Sequence, residues 1–303
     1  MRMRTEKLRG FWVASLTPLT ADDRIDVALF ARHCRWLFEQ GCDGVAVFGT
    51  TGEGQSFSVR ERMEALDGLL AAGIPGDRIV VGTGCAAVPD AVELTRHALA
   101  SDVAAAMVLP PFFWKGQSQE TVANGIGRVI ELVADPALRV VLYHIPQVSA
   151  VAIDAGAIAI LRERFGAVVA GIKDSSADFT HYDVALSRFP EMLHFVGAET
   201  QLPRALEIGG AGTICGLGNV APRAMADLRD RRAAAGGAIR QIEALCRLFA
   251  TRPFLQTTRG LLAGLTGEGA WLRTRAPLIA LSETAAAEAA VLARDILGPR
   301  ADA

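Results

Sequence analysis

The sequence predicts an α/β chain: a closed (β/α)8 TIM barrel with a C-terminal helical appendage. Eight short apolar runs alternate with longer amphipathic stretches, the pattern of parallel strands buried on both faces and covered by helices. These eight units occupy about 220 residues, close to the roughly 250 typical of a closed barrel. The alternative, an open doubly wound sheet, usually carries GxGxxG after its first strand, and that fingerprint is absent here.

Taken in order, strands are expected at 10–16, 44–49, 79–84, 104–109, 139–144, 168–173, 194–197 and 212–216. The first helix is expected at 26–40, where Val27, Phe30, Ala31, Cys34, Leu37 and Phe38 recur at three- and four-residue steps. The next, at 58–72, opens with Ser58-Val59-Arg60-Glu61, the pattern of a capping box. Segments 89–101, 119–133 and 153–165 follow the same logic. After Pro222 the strand signal stops, and 224–235, 237–249, 257–265 and 284–297 read as helix. Gly236-Gly237 and Thr251-Arg252-Pro253 supply the breaks. The expected organisation is a barrel at 1–223 and a helical region at 224–303, with no linker long enough to make the second independent. The alanine-rich stretch 285–290 suits close helix packing or subunit contact.

Composition narrows the function classes. The chain is 51% hydrophobic with a formal net charge of −2, which disfavours disorder and gives no basic excess for a nucleic-acid partner. The longest apolar run, 103–113, is 11 residues with two prolines inside, too short to span a bilayer. No signal peptide is expected, because the apolar stretch from Phe11 is cut by Pro18. Five cysteines with no CxxC pair fit reduced thiols in a cytoplasmic protein better than a disulfide framework or a zinc site. The five histidines show no HxH or HExxH spacing, so no metal is expected. GxxxxGK[ST] and GxSxG are also absent.

In a barrel of this kind chemistry sits at the C-terminal ends of the strands. Lys173 ends the sixth strand after an uncharged run, Ala167 to Ile172, and is one of only three lysines among 31 basic residues. Apolar surroundings disfavour an ammonium relative to a free amine, and a free amine attacks a carbonyl to form a Schiff base. The competing reading is a lysine whose head snorkels to solvent. Tyr143, near the end of the fifth strand, can shuttle a proton between an imine and a substrate oxygen, or simply fill the core. His144 follows it and by alternation points away from the barrel interior, a structural position. Gly49-Thr50-Thr51-Gly52 is either a plain tight turn or a cradle of N–H groups and hydroxyls for a carboxylate. Gly82-Thr83-Gly84 and residues 216–219 are weaker signals of the same type.

Together, Gly49-Thr50-Thr51-Gly52-Glu53, Tyr143-x-x-Pro146 and Gly171-Ile172-Lys173-Asp174 resemble the dihydrodipicolinate synthase / N-acetylneuraminate lyase family, from about Phe11 to beyond Asn219. The resemblance implies a barrel with class I aldolase chemistry on pyruvate or another 2-oxo acid, without a cofactor beyond the covalent lysine imine. It assigns Lys173 to the Schiff base, Tyr143 to proton transfer, Thr50 to its relay partner and Thr51, with Gly49, to the substrate carboxylate. Gly197 and Ile214 resemble positions lining the same pocket. It also implies a homo-oligomer, tetramer or dimer.

The departures are informative. Where the synthases usually have a Tyr-Tyr pair after strand 4, this chain has Pro111-Phe112-Phe113-Trp114-Lys115, and Phe113 carries no hydroxyl. Where they have an arginine after the Tyr-x-x-Pro motif for the second substrate's carboxylate, this chain has Val148, which cannot pair with one. Their usual asparagine after the tyrosine is His144. The Phe-Phe-Trp-Lys stretch looks more like that of some 2-keto-3-deoxy sugar-acid aldolases. The expected function is therefore a Schiff-base-dependent aldolase or dehydratase that forms or uses pyruvate. The alternative is 4-hydroxy-tetrahydrodipicolinate synthase, condensing pyruvate with aspartate semialdehyde, and a third is a non-catalytic 2-oxo-acid-binding protein.

Overall fold

The computed structural model describes residues 7–230 and 235–297. Eight parallel strands close into a barrel in chain order, with β1 hydrogen-bonded to both β2 and β8. They are β1 Gly10–Ala14, β2 Gly44–Val47, β3 Ile79–Gly82, β4 Ala105–Val108, β5 Val140–His144, β6 Val169–Asp174, β7 Leu193–Val196 and β8 Gly212–Cys215. Most are shorter than the apolar runs that announce them.

Helices α1 Val27–Glu39, α2 Val59–Ala71, α3 Val88–Ala100, α4 Gln119–Val133 and α5 Ala155–Phe165 occupy the expected places. The capping box forms: Glu61 N–H donates to Ser58 Oγ at 3.2 Å and Ser58 N–H donates to Glu61 Oε2 at 2.9 Å. Two further helices, α6 Phe179–Arg188 and α7 Leu202–Glu207, follow β6 and β7 without having been anticipated. Six residues of α7 are too few to show a 3.6-residue period. The segment read as the start of the appendage is α8 Pro222–Arg229, which follows β8 as the eighth barrel helix. It ends six residues before the expected limit at 235, and 231–234 lie outside the described residues. The boundary anticipated at 223 falls inside this helix.

Helices α9 Ala235–Phe249, α10 Phe254–Thr266 and α11 Glu283–Leu297 follow among the described residues. They share one apolar core with the barrel, in which Phe11, Phe30 and Leu37 join Leu245, Leu261, Trp271 and Ala293. A second apolar layer fills the barrel itself, from Trp12 and Ala14 through Met107 and Val141 to Tyr143, Phe195 and Ile214. Small residues let α10 and α11 approach closely: a Cβ on Gly264 would meet the Ala290 backbone. Among the described residues no helix is long and apolar enough to cross a membrane.

Candidate active site

Tyr143 and Lys173 are register partners on the adjacent strands β5 and β6, so strand pairing alone sets them side by side. Both are buried, at 3% and 4% exposure. The Lys173 Nζ lies 4.2 Å from the centroid of the Tyr143 ring. The Tyr143 hydroxyl donates to Thr50 Oγ1 at 3.1 Å, which ties β5 to the turn after β2.

That turn is tightly specified. Gly54 N–H donates to Gly49 O and Glu53 N–H to Thr50 O, both at 3.1 Å. Phe48 and Glu53 hold left-handed backbone, at φ 58° and 54°. Gly52 admits no side chain, because a Cβ there would sit 2.8 Å from Phe48 N and 2.9 Å from Ser15 O. Thr17 Oγ1 donates to Gly52 O at 2.7 Å. Thr51, buried, faces the end of β8: a Cβ on Gly216 would come within 3.2 Å of its Oγ1.

A cavity of about 420 Å³ opens over these residues. Gly49, Thr50 and Tyr143 line it, with Phe112 and Val148 at the wall. Thr51, Lys173, Gly197 and Ile214 do not. Lys173 lies beside the Tyr143 ring, and Ile214 belongs to the packed layer inside the barrel. Gly197 sits against Ser175, where a side chain would collide. Phe113 and Trp114 are exposed, pack edge to face with centroids 5.3 Å apart, and are not among the lining residues.

Three partners of the site were not legible as such. Glu199, just past β7, accepts the Leu217 N–H at 3.0 Å. Burial raises its carboxyl above the ordinary 4.5, against the pull of backbone N–H groups and of the Lys173 charge. Glu53 forms a fully buried ion pair with Arg259 of α10, whose Nε donates to Oε1 at 2.9 Å and whose Nη2 reaches Thr17 O at 2.7 Å. On the outer face of β5 and β6, His144 stacks on His181 of α6 at 3.9 Å, and His181 Nδ1 lies 2.6 Å from Asp174 Oδ2. His144 thus points away from the interior, as alternation requires. A single Gly-Ala-Glu after an apolar run was the available signal for Glu199. The other two depend on contacts distant in sequence.

Asp174, His144 and His181 have nitrogen and oxygen atoms within 4.8 Å of one another, a grouping that could in principle hold a metal. The donor set does not fit one. The two rings are parallel to within 7° with centroids 3.9 Å apart, so their in-plane lone pairs lie in separate parallel planes and do not converge on one ion. His144 Nδ1 already accepts the Ile153 N–H at 3.0 Å, and His181 Nε2 is 2.9 Å from Ile153 O.

A model of the dihydrodipicolinate synthetase family matches residues 7–295. The chain belongs to the dihydrodipicolinate synthetase family. It is accordingly a class I aldolase-type lyase. An uncharacterised DapA-like lyase of Chloroflexus aurantiacus is 37% identical over 294 residues, covering 93% of this chain and 95% of that protein. The N-acetylneuraminate lyase of Pongo abelii is 30% identical over 224 residues, 71% of this chain and 68% of that one. Among solved structures, dihydrodipicolinate synthase from Agrobacterium tumefaciens str. C58 superposes with a TM-score of 0.86 at 28% identity, covering 94% and 98% of the two chains. A prophage protein from E. coli K12, solved in complex with pyruvate, shares the fold with a TM-score of 0.85 at 21% identity over 96% and 99%.

Proposed function

We propose that this family member cleaves or forms a carbon–carbon bond next to a 2-oxo acid through a Schiff base on Lys173, with pyruvate as product or substrate. The observation that carries the reading is the grouping of one buried amine, Lys173 Nζ, with the Tyr143 ring at 4.2 Å and the Tyr143–Thr50 hydrogen bond at 3.1 Å. The pyruvate complex of the E. coli relative is consistent with it.

In the cleavage direction Lys173 Nζ adds to the 2-oxo carbon and water leaves, giving an imine. Tyr143, left as the phenolate after giving its proton to the departing water and with Thr50 hydrogen-bonded to it, takes the proton of the 4-hydroxyl. The C3–C4 bond breaks, its electron pair moves into the imine as an enamine, and an aldehyde departs. Tyr143 returns a proton to C3, and water releases pyruvate and the free lysine. Free N–H groups of the Gly49–Thr51 turn and the Thr51 hydroxyl hold the C1 carboxylate. No cofactor or metal enters this route. The synthase reaction is the weaker reading, since Phe113 has no hydroxyl to donate and Val148 no charge to pair.

Borohydride reduction in the presence of pyruvate tests the reading. It should add the mass of a reduced pyruvyl adduct to Lys173, and Lys173→Ala should lose both adduct and turnover. An unmodified Lys173 would overturn it. We propose with it the homo-oligomeric state implied by the family, to be read from mass in solution by light scattering.

A further inference from the structure

The wall of the cavity is the least expected feature of the site. Met107, Leu109, Phe112, Val148, Leu255 and Leu278 surround the space over Tyr143. The polar side chains at its wall are mostly committed elsewhere. Glu53 is held by Arg259, and the Gln55 amide donates to Gly84 O at 2.7 Å. Ser149 Oγ is engaged with Ile145 O at 3.0 Å and Val151 O at 2.9 Å. Thr50 and Tyr143 are bonded to each other. This leaves the Ser56 hydroxyl, the carbonyl end of an exposed Gln55 and the second Glu53 oxygen, Oε2, which is buried without a hydrogen-bond partner among the described residues, to meet a polar ligand.

A polyhydroxylated chain seated here would exchange water for carbon at most of its hydroxyls, and a buried hydroxyl without a partner is unfavourable. An alkyl or aryl group would bury its surface instead. The volume, about 420 Å³, lies in the range of roughly 300–1,000 Å³ that receives ligands far larger than a three-carbon acid. We infer that the group carried on C4 of the 2-oxo acid, the part released as an aldehyde, is apolar, an alkyl or aryl substituent and not a sugar chain. This rests on the Schiff-base reading of the same site and departs from the sugar-acid resemblance of the Phe-Phe-Trp-Lys stretch.

The bonds made and broken are those of the cleavage above, with R–CHO leaving and R seated against Leu109, Val148 and Leu278. Pyruvate release is to be measured from 4-hydroxy-2-oxo-4-phenylbutanoate, from its alkyl counterpart 4-hydroxy-2-oxohexanoate and from 2-keto-3-deoxygluconate. An apolar pocket discriminates against an added hydroxyl by about 100-fold, so kcat/KM for the better of the first two should exceed that for the sugar acid by at least that factor. Val148→Asn combined with Leu278→Asn, checked for an unchanged melting temperature, should narrow the ratio by about tenfold through KM. Borohydride trapping of pyruvate runs in parallel. Trapping at Lys173 together with equal or better turnover of the sugar acid overturns the inference and leaves the Schiff-base reading standing. Failure to trap overturns both.

Discussion

The hydroxyl of Tyr143 donates to Thr50 Oγ1 across 3.1 Å, joining the end of β5 to the turn after β2. This bond orients the phenol whose ring lies beside Lys173. Tyr143→Phe removes the proton carrier but keeps the ring, so Lys173 should still be trapped by borohydride. Turnover should fall by about 10²–10⁴, the usual worth of a positioned acid–base group. Thr50→Val removes only the partner. It should cost about 1–2 kcal/mol, roughly five- to thirtyfold in kcat. The double variant should be no slower than Tyr143→Phe, because the two hydroxyls act as one unit. Additive losses in steady-state kinetics would separate them.

The Glu53–Arg259 pair binds the appendage to the active-site turn. Both side chains are 1% exposed, and Arg259 also donates to Thr17 O. Removing one partner strands a buried charge, so Arg259→Met should destabilise the fold by about 3–5 kcal/mol in urea denaturation. Replacing both residues by apolar ones of similar size should cost much less. If Arg259→Met unfolds as the wild type does, the pair does not hold the tail.

Gly52 offers a test of the turn itself. A methyl there would press on the backbone of Phe48 and Ser15, which cannot move as a flexible side chain could. Gly52→Ala should cost about 1–3 kcal/mol, the usual range for overpacking. It should also lower kcat, because Thr50 and Thr51 ride on the same turn. Unchanged kinetics would show that the turn tolerates displacement.

What the sequence made legible follows from the range of each interaction. Strand positions and the candidates Lys173 and Tyr143 came from local apolar runs and from the rule that barrel chemistry sits at strand ends, while Thr50 as the partner of Tyr143 came from the family resemblance. Register then does the rest, since Tyr143 and Lys173 are opposite by pairing. Arg259 meets Glu53 across 206 residues, and nothing near either one announces the other. The cavity wall was equally hidden. Leu255 and Leu278 reach it from beyond β8, and only the folded tail brings them over Tyr143.

The histidine pair behind the two catalytic strands makes stability depend on pH in opposite directions. Burial alone would lower His181, but the hydrogen bond and charge of Asp174 outweigh it and raise it above the ordinary 6.5. The folded state therefore binds this proton more tightly. Its stabilisation is complete below pH 6.5 and lost as pH rises through the folded value. Asp174 is held below 3.8, since hydrogen bonds from His181 and Ser176 outweigh its burial. Its contribution is lost only as pH falls through that lower value. His144 behaves oppositely: burial first, and the neighbouring His181 charge second, push it down to about 4. The unfolded chain takes up that proton near 6.5 and the folded one does not, so stability falls as pH drops from 6.5 towards 4. Asp154 and Asp178 also face this pair: both moderate the depression of His144, and Asp178 adds to the elevation of His181. Melting temperature against pH should thus peak near 6.5. His181→Asn should flatten the alkaline limb and His144→Asn the acid limb above pH 4. A variant that keeps both limbs would place the titrating groups elsewhere, and the clamp behind Tyr143 and Lys173 would then be rigid packing with no proton linkage.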